Sequence, residues 1–394
     1  MACPGYDFTV PVHRPLHIPP NPIVSLQDLD EQLEPELAAH GEDFVPKDKM
    51  QSWTQKLAEF GLVNAPQPES AGGLGLSWKL HVQLIEELAY SSGDLAIAAL
   101  VNGSAASMLV KLAPEHIKTR YLPRLLAGEL FASVGISEPD VGSDVAAAKT
   151  RAVRDGDHWV ISGEKTWITN GEYSDFFICT CRTGENELTH ILLDRNEHPY
   201  EVRGIPKIAL NRQSTSQVFL DDVRVPVENT IGEIGSGLKN TLTLLERARV
   251  HVGSWGYGMA RRALDESIKY AIDRSQHGKP IAGHQLIAEK LAVMATEIDA
   301  ARLLSLRAAG MIDAGQRCDK ECAMAKWYGT EIAVSATRQA VQIHGGNGVT
   351  KEFIVERLAR EGDPPTQRLR AEWRKQMEDV IYALINSPEF IFIP

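Results

Sequence analysis

The stretch 131–170 limits the fold most tightly, because β-type text there interrupts a chain that is otherwise helical. It reads FASVGISEPDVGSDVAAAKTRAVRDGDHWVISGEKTWITN. An apolar run, Phe131 to Ile136, ends in SEPDVGSD, a loop dense in Ser, Gly, Pro and Asp. Two β-type runs follow, Thr150 to Val153 and His158 to Ile161, and Asp155-Gly156 between them predicts a hairpin turn, since both residue types tolerate positive φ. The second run closes on Trp167-Ile168-Thr169. A ring that stacks beside a hydroxyl that hydrogen-bonds suits a flat heteroaromatic ligand on a strand edge. Periodicity alone also allows a plain β core with a buried Trp.

The flanks differ. Residues 1–25 are Pro-rich and aperiodic, which predicts an extended arm. From Leu26 to Leu126 the text is helical, with Trp53, Leu57 and Phe60 at helical spacing and Gly61 as a stop. ESAGGLGLSW is a glycine loop without dinucleotide-fingerprint spacing. Helical text runs from Leu80 to Leu112 and again from Pro114 to Leu126. Residues 131 to about 235 give short β runs separated by turn clusters. After Gly237 come three long helical segments, about 239–275, 283–314 and 319–344, joined by short turns, the pattern of antiparallel helices in a bundle. The expected α+β organisation is therefore an arm (1–25), an N-terminal α-helical domain (26–130), a middle antiparallel β-barrel domain (131–236) and a C-terminal four-helix bundle (237–394).

Composition sets outer limits. A chain of 394 residues, 43% apolar and 24% charged, can bury a large core. A net charge of −11 argues against nucleic acid as a partner. No run approaches the roughly 18 apolar residues of a membrane span, and the first 22 residues lack the basic-then-apolar order of a secretory signal. Cys179-x-Cys181 and Cys318-x3-Cys322 are not a zinc framework, so no metal is expected and a reducing cytoplasm is the compartment read.

SEPDVGSD followed by DGDHWVISGEKTWITNG resembles the middle β-domain of the acyl-CoA dehydrogenase family of flavoproteins. The likeness continues in VFLDDVRVPVENTIGEIGSGLKN, DRSQHGKPIAGHQLIAEKLAVMATEIDAARLL and AVQIHGGNGVTKEFIVERLAR, and covers roughly residues 50–361. It implies FAD as cofactor and α,β-dehydrogenation of an acyl thioester. That chemistry needs a carboxylate base, a flavin on the opposite face and donors that polarise the carbonyl.

Most of the family carries its base shortly after the VERLAR-like stretch. Here that position falls on Leu369, and the family Thr two residues on falls on Ala371. A minority arrangement has the base on the first long bundle helix in a Leu-Glu-Arg sequence, which Leu245-Glu246-Arg247 resembles. Leu242, Glu246 and Val250 share one helical stripe, and a carboxylate among apolar groups gains a raised pKa suited to a base. The alternative is a solvated Glu246 paired with Arg249. With Leu369 unable to take a proton, Glu246 is the expected base and Arg247 the residue that orders the site and touches substrate. Gly253, Gly256 and Gly258 interrupt the same helix, for close approach of a neighbouring helix or a substrate tail, or for plain packing.

By resemblance, Ile136, Ser137 and Ser143 offer backbone and hydroxyl groups to the flavin, with Ser143 also touching substrate. Trp167 stacks near the ring and Thr169 hydrogen-bonds it. Arg274 neutralises the pyrophosphate, with Gln285 in the matching His-Gln pair. Gln342, Gly345 and Gly346 contact the adenosine end from a neighbouring subunit. A helix C-terminal cation is the alternative for Arg274, and a helix stop for the two glycines. His277 stands where the family often has Phe and reads as a structural His. Small residues Ala98, Ala99, Gly103 and Ser104 fall where the family lines its acyl pocket.

The resemblance further implies an electron-transfer flavoprotein or similar acceptor, and a homo-oligomer, a homotetramer built as a dimer of dimers. Leu244, where the family commonly has Asp, and the altered EGDPPTQRLRAEWRKQ leave acyl-CoA and an acyl-carrier-protein thioester both open as substrate. A flavin-dependent monooxygenase or oxidase on the same scaffold, and a thioester-binding protein without turnover, are the rival readings.

Overall fold

The computed structural model describes residues 33–362, apart from positions 38 and 64. The arm expected at 1–25, and the stretch with Leu369 and Ala371, lie outside the described residues.

The α-domain includes α1 (Lys47–Glu59), α2 (Trp78–Ser91), α3 (Gly93–Leu112) and α4 (Glu115–Leu126). Helical text from Leu80 to Leu112 is split in two because Ser92 leaves helical geometry and caps α3, its Oγ accepting from Leu95 N at 3.4 Å. Ser77 caps α2 in the same way, accepting from Leu80 N at 3.3 Å. Trp53 and Leu57 are buried with Met50 and Phe60 in one core, so the spacing that predicted α1 also sets its inward face. By length and composition α3 could cross a membrane, which the sequence reading did not anticipate. Here it is a core helix, with Leu95, Ala96, Ala99, Ala106 and Leu109 buried.

Eight strands form one mostly antiparallel sheet. They are β1 (Ala132–Gly135), β2 (Arg151–Asp155), β3 (His158–Thr169), β4 (Phe176–Gly184), β5 (Glu187–Asp194), β6 (Glu201–Gly204), β7 (Thr215–Pro226) and β8 (Thr230–Ile231). The order is β6-β7-β3-β2-β4-β5-β8, with β1 parallel to β4. Trp159, Ile161, Phe177, Ile191, Val218 and Val225 fill its interior. The β2–β3 hairpin turns one residue later than expected. Asp155 pairs with His158, leaving Gly156-Asp157 as the turn, and Gly156 has φ 63° while Asp157 is not positive. That suits a turn with glycine at its first central position.

The bundle follows with α5 (Gly237–Asp273), α6 (Gln285–Asp313), α7 (Asp319–His344) and the short α8 (Ile354–Gly362). The glycines of α5 serve helix packing. A Cβ on Gly253 would meet Ala325 O at 2.6 Å and one on Gly256 would meet Gly329 O at 2.5 Å, both on α7, while Gly258 lies against Glu86 O of α2. Buried charge ties the two helical layers together: Arg261 Nη1 donates to Glu86 Oε1 at 2.7 Å and Arg302 Nε to Glu86 Oε2 at 3.0 Å.

Candidate active site

Helices α2, α3 and the first half of α5 enclose a cavity of about 260 Å3. Ala99, Gly103 and Ser104 line it from α3, as the sequence suggested. Ala98 does not, because its side of α3 faces the β-domain, where Asn170 Nδ2 donates to Ala98 O at 3.0 Å. From α5 the wall takes Leu244, Arg247, Ala248 and His251, which fall on one stripe at 100° per residue. Trp78, His81 and Ile85 complete it from α2. Among the described residues the wall carries Lys111, Lys239 and Arg247 and no carboxylate.

Arg247 lies in the cavity wall. Its guanidinium carbon stands 5.8 Å from the centre of the Trp78 ring, a cation–π distance. Glu246 is placed differently. Glu246 and Val250 face the start of α7 rather than the cavity, because position 246 is turned about 100° from position 247. Its Oε1 lies 3.9 Å from Cys318 Sγ, and Val250 packs with Cys318, Cys322 and Ala325. Burial raises the Glu246 carboxyl above its ordinary value, and the neighbouring Asp319 carboxylate adds to this; Arg247 and Arg249 oppose it. It is therefore a half-buried carboxyl beside the cavity, neither in its wall nor a solvated Glu. Glu246, Cys318 and Cys322 bring three potential ligand atoms within 4.8 Å of one another, one fewer than closed zinc sites use.

The β-domain residues expected around a flavin ring gather on one loop and one strand. Lys165 Nζ donates to Ile136 O at 3.1 Å and Thr166 N to Ser137 O at 3.0 Å, so the SEPDVGSD loop is laid along β3. Glu138, unremarked in the sequence, anchors that loop: its carboxylate accepts from Lys149 N, Thr150 N and Lys165 Nζ. Trp167 is half-buried at φ 61°, inside an irregular stretch of the β3–β7 pairing. Positive φ on a bulky residue is strained and collects at functional positions. Thr169 is half-buried at the end of β3, Ser133 Oγ donating to its carbonyl at 3.0 Å, and Ser143 is exposed. A strained, partly exposed indole beside a loop anchored on β3 fits a flat ring system.

The second set sits at the far end of the bundle. Arg274 ends α5 and accepts a hydrogen bond from Ile281 N at 2.8 Å, so the turn returns the chain to Gln285 at the start of α6. Tyr270, one turn before Arg274, stacks on His344 at 4.2 Å and accepts from Asn347 Nδ2 at 3.1 Å. This brings Gln342, Gly345 and Gly346 to the same end. All five residues are exposed, and a Cβ at Gly345 or Gly346 would meet nothing within 4 Å. An open backbone cradle with a cation beside it fits a phosphate-bearing ligand. His277, at φ 51°, lies in the same turn, its ring 6.1 Å from that of His284. Thr241 Oγ1, near the start of α5, reaches His190 Nε2 of the sheet at 3.4 Å, whereas Arg274 lies 33 residues further on, about 50 Å along the helix.

Comparison with known proteins accords with this layout. The chain matches the acyl-CoA dehydrogenase N-terminal domain over residues 27–129, the middle domain over 133–223 and the C-terminal domain over 235–362. It is 38% identical over 337 residues to the probable acyl-CoA dehydrogenase YngJ of Bacillus subtilis, covering 83% of this chain and 88% of that one. It is 36% identical over 320 residues to CarC, a subunit of the caffeyl-CoA reductase-Etf complex of Acetobacterium woodii, covering 78% and 82%. Butyryl-CoA dehydrogenase from Megasphaera elsdenii superposes with a TM-score of 0.82 at 26% identity, covering 93% of this chain and 96% of that chain. With all three domains matched in order, the chain belongs to the acyl-CoA dehydrogenase family.

Proposed function

We propose that the protein is an oxidoreductase acting on CH–CH groups, which uses FAD to convert a saturated acyl-CoA thioester to its α,β-enoyl form. The observation that carries this is the cavity between α2, α3 and α5, in a chain with the family's three domains in order. When bound, FAD would accept the β-hydrogen with its electron pair, as hydride, while the α,β double bond forms. Trp167, Thr169, Ile136, Ser137 and Ser143 hold the ring end. Arg247 orients the ligand in the cavity.

Glu246 takes the α-proton. Its support is chemical: it is a carboxyl held up by burial, one residue from Arg247 of the cavity wall. Its carboxyl rests by Cys318, so this role requires it to turn toward the cavity when the thioester enters. Anaerobic addition of acyl-CoA esters to the yellow protein tests the whole reading: bleaching of the flavin is the expected outcome, and a flavin that stays oxidised with every thioester overturns it. An oxygen-dependent hydroxylase or a binding-only protein is not favoured by a family match across all three domains.

Arg274, Gln285, Gln342, Gly345 and Gly346 serve the FAD of a neighbouring subunit in a homotetramer built as a dimer of dimers. The helix length that separates them from the sheet supports this, as do Leu286, Leu303 and Trp327, which expose 73%, 66% and 54% of their surfaces on α6 and α7. An electron-transfer flavoprotein reoxidises the flavin, in line with the Etf complex of the CarC relative. The unpaired thiols of Cys179, Cys181, Cys318 and Cys322 suit the reducing cytoplasm.

A further inference from the structure

One end of the cavity is built for more than a hydrocarbon chain. His251 stacks on Trp78, ring centres 4.9 Å apart and planes 6° from parallel, and His81 meets His251 edge-on at 4.6 Å. Both imidazoles are at least nine-tenths buried. His81 Nδ1 and both ring nitrogens of His251 have no hydrogen-bond partner. Such groups cost free energy unless something pairs with them. Burial lowers both rings, His251 to about 4, so at neutral pH they are uncharged and each offers one donor and one acceptor.

Beside them stands positive charge. Arg247 stands 5.8 Å from the centre of the same Trp78 ring, and Lys111 is close enough for its pKa to be lowered, by burial first and by Arg247 second. Lys239 adds a third cation at the rim. Lys111 is exposed and Arg247 half-buried, and with no carboxylate among the described lining residues the two cations would attract an anion that enters the cavity. An apolar acyl tail would leave both the histidine nitrogens and the cations unanswered.

We infer that this protein takes an acyl thioester whose far end carries a carboxylate, seated between Arg247 and Lys111 and hydrogen-bonded by His81 and His251. This rests on the dehydrogenase reading and adds the substrate class to it. The carbon chain would lie along the small residues Ala99, Gly103 and Ser104. The cations could instead receive phosphates of CoA, and the two sources are separable because only one depends on the acyl end.

The test is calorimetric titration of the FAD-loaded protein with adipyl-CoA, hexanoyl-CoA and free CoA, with anaerobic bleaching followed in parallel. Adipyl-CoA should bind at least tenfold more tightly than hexanoyl-CoA, and both Arg247→Met and His251→Phe should erase that preference. The second variant keeps a flat ring on Trp78, and the comparison on unaltered protein stands even if a variant does not fold. Equal or tighter binding of hexanoyl-CoA, or a loss in Lys111→Met shared equally by all three ligands, overturns the proposal. A hexanoyl preference with bleaching would leave the dehydrogenase reading intact, whereas an adipyl preference with no bleaching by any thioester would sink that reading and keep the site.

Discussion

Lys165 Nζ lies 2.8 Å from Glu138 Oε1, and the two side chains expose 0% and 4% of their surfaces. The pair joins β3, two residues before the strained Trp167, to the loop carrying Ile136, Ser137 and Ser143. Burial alone would raise the Glu138 carboxyl; Lys165 and the amides of Lys149 and Thr150 outweigh it and hold it below its ordinary value. One ion pair thus fixes the spacing between the two halves of the expected ring site.

Lys165→Met should leave Glu138 as an uncompensated buried charge, at a cost of about 3–5 kcal/mol. Flavin affinity should fall with it, because the loop loses its tie to β3. Urea denaturation and fluorescence titration of FAD measure the two effects. A variant with wild-type values for both would show that the loop is held by other contacts.

Much of this was legible in the sequence, and what was not shares one physical cause. Helix spacing in α1, the β text after Phe131 and the long bundle helices were readable because each depends on neighbours within a turn or a hairpin. The glycines of α5 announced close approach, though not that Gly253 and Gly256 face α7 and Gly258 faces α2. Lys165 and Glu138 are 27 residues apart, and His81 meets His251 only after the α-domain docks on the bundle, so no local pattern marks either pair. Glu246 shows the limit most clearly. Spacing put it on one face with Val250, but which neighbour that face meets is a tertiary fact.

Gly256→Ala should be destabilising although alanine is the better helix former. The new methyl would sit 2.5 Å from Gly329 O, and backbone cannot step aside as a flexible side chain does, so a cost of about 1–3 kcal/mol is expected. Gly346→Ala is the control: its Cβ meets nothing within 4 Å, and surface changes of that kind stay within about 0.5 kcal/mol. Thermal melts of the two variants should separate clearly, and equal melting points would mean that α5 and α7 do not pack this closely.

Stability should fall as pH rises from about 5 to 8. Glu361 lies buried among Asp94, Arg212 and Arg357, and burial, with Asp94 adding, pushes its carboxyl from 4.5 up to about 8. Burial raises Asp94 as well. A raised carboxyl keeps its proton in the fold while the unfolded chain loses it near 4.5, so its contribution is full at low pH and disappears through the folded value. The effect is on the order of a few kcal/mol, at about 1.4 kcal/mol per pKa unit. Denaturation midpoints across this range should slope downward in the wild type and flatten in Glu361→Gln. An unchanged slope in the variant would assign the pH dependence to other groups.

Glu246→Gln tests the proton acceptor. Gln keeps the size and can still accept from Cys318, so the fold and FAD content should persist. Loss of the base should slow anaerobic flavin bleaching by 10²-fold or more, the ordinary range for general base catalysis. A second measurement separates chemistry from placement. If Glu246 turns toward bound thioester, it must leave Cys318, and the thiol, now 3.9 Å from that carboxylate, should react with a thiol reagent at a different rate once ligand is bound. A variant that bleaches at the wild-type rate, together with ligand-independent Cys318 reactivity, would mean that the carboxyl stays against α7 and takes no part in the reaction.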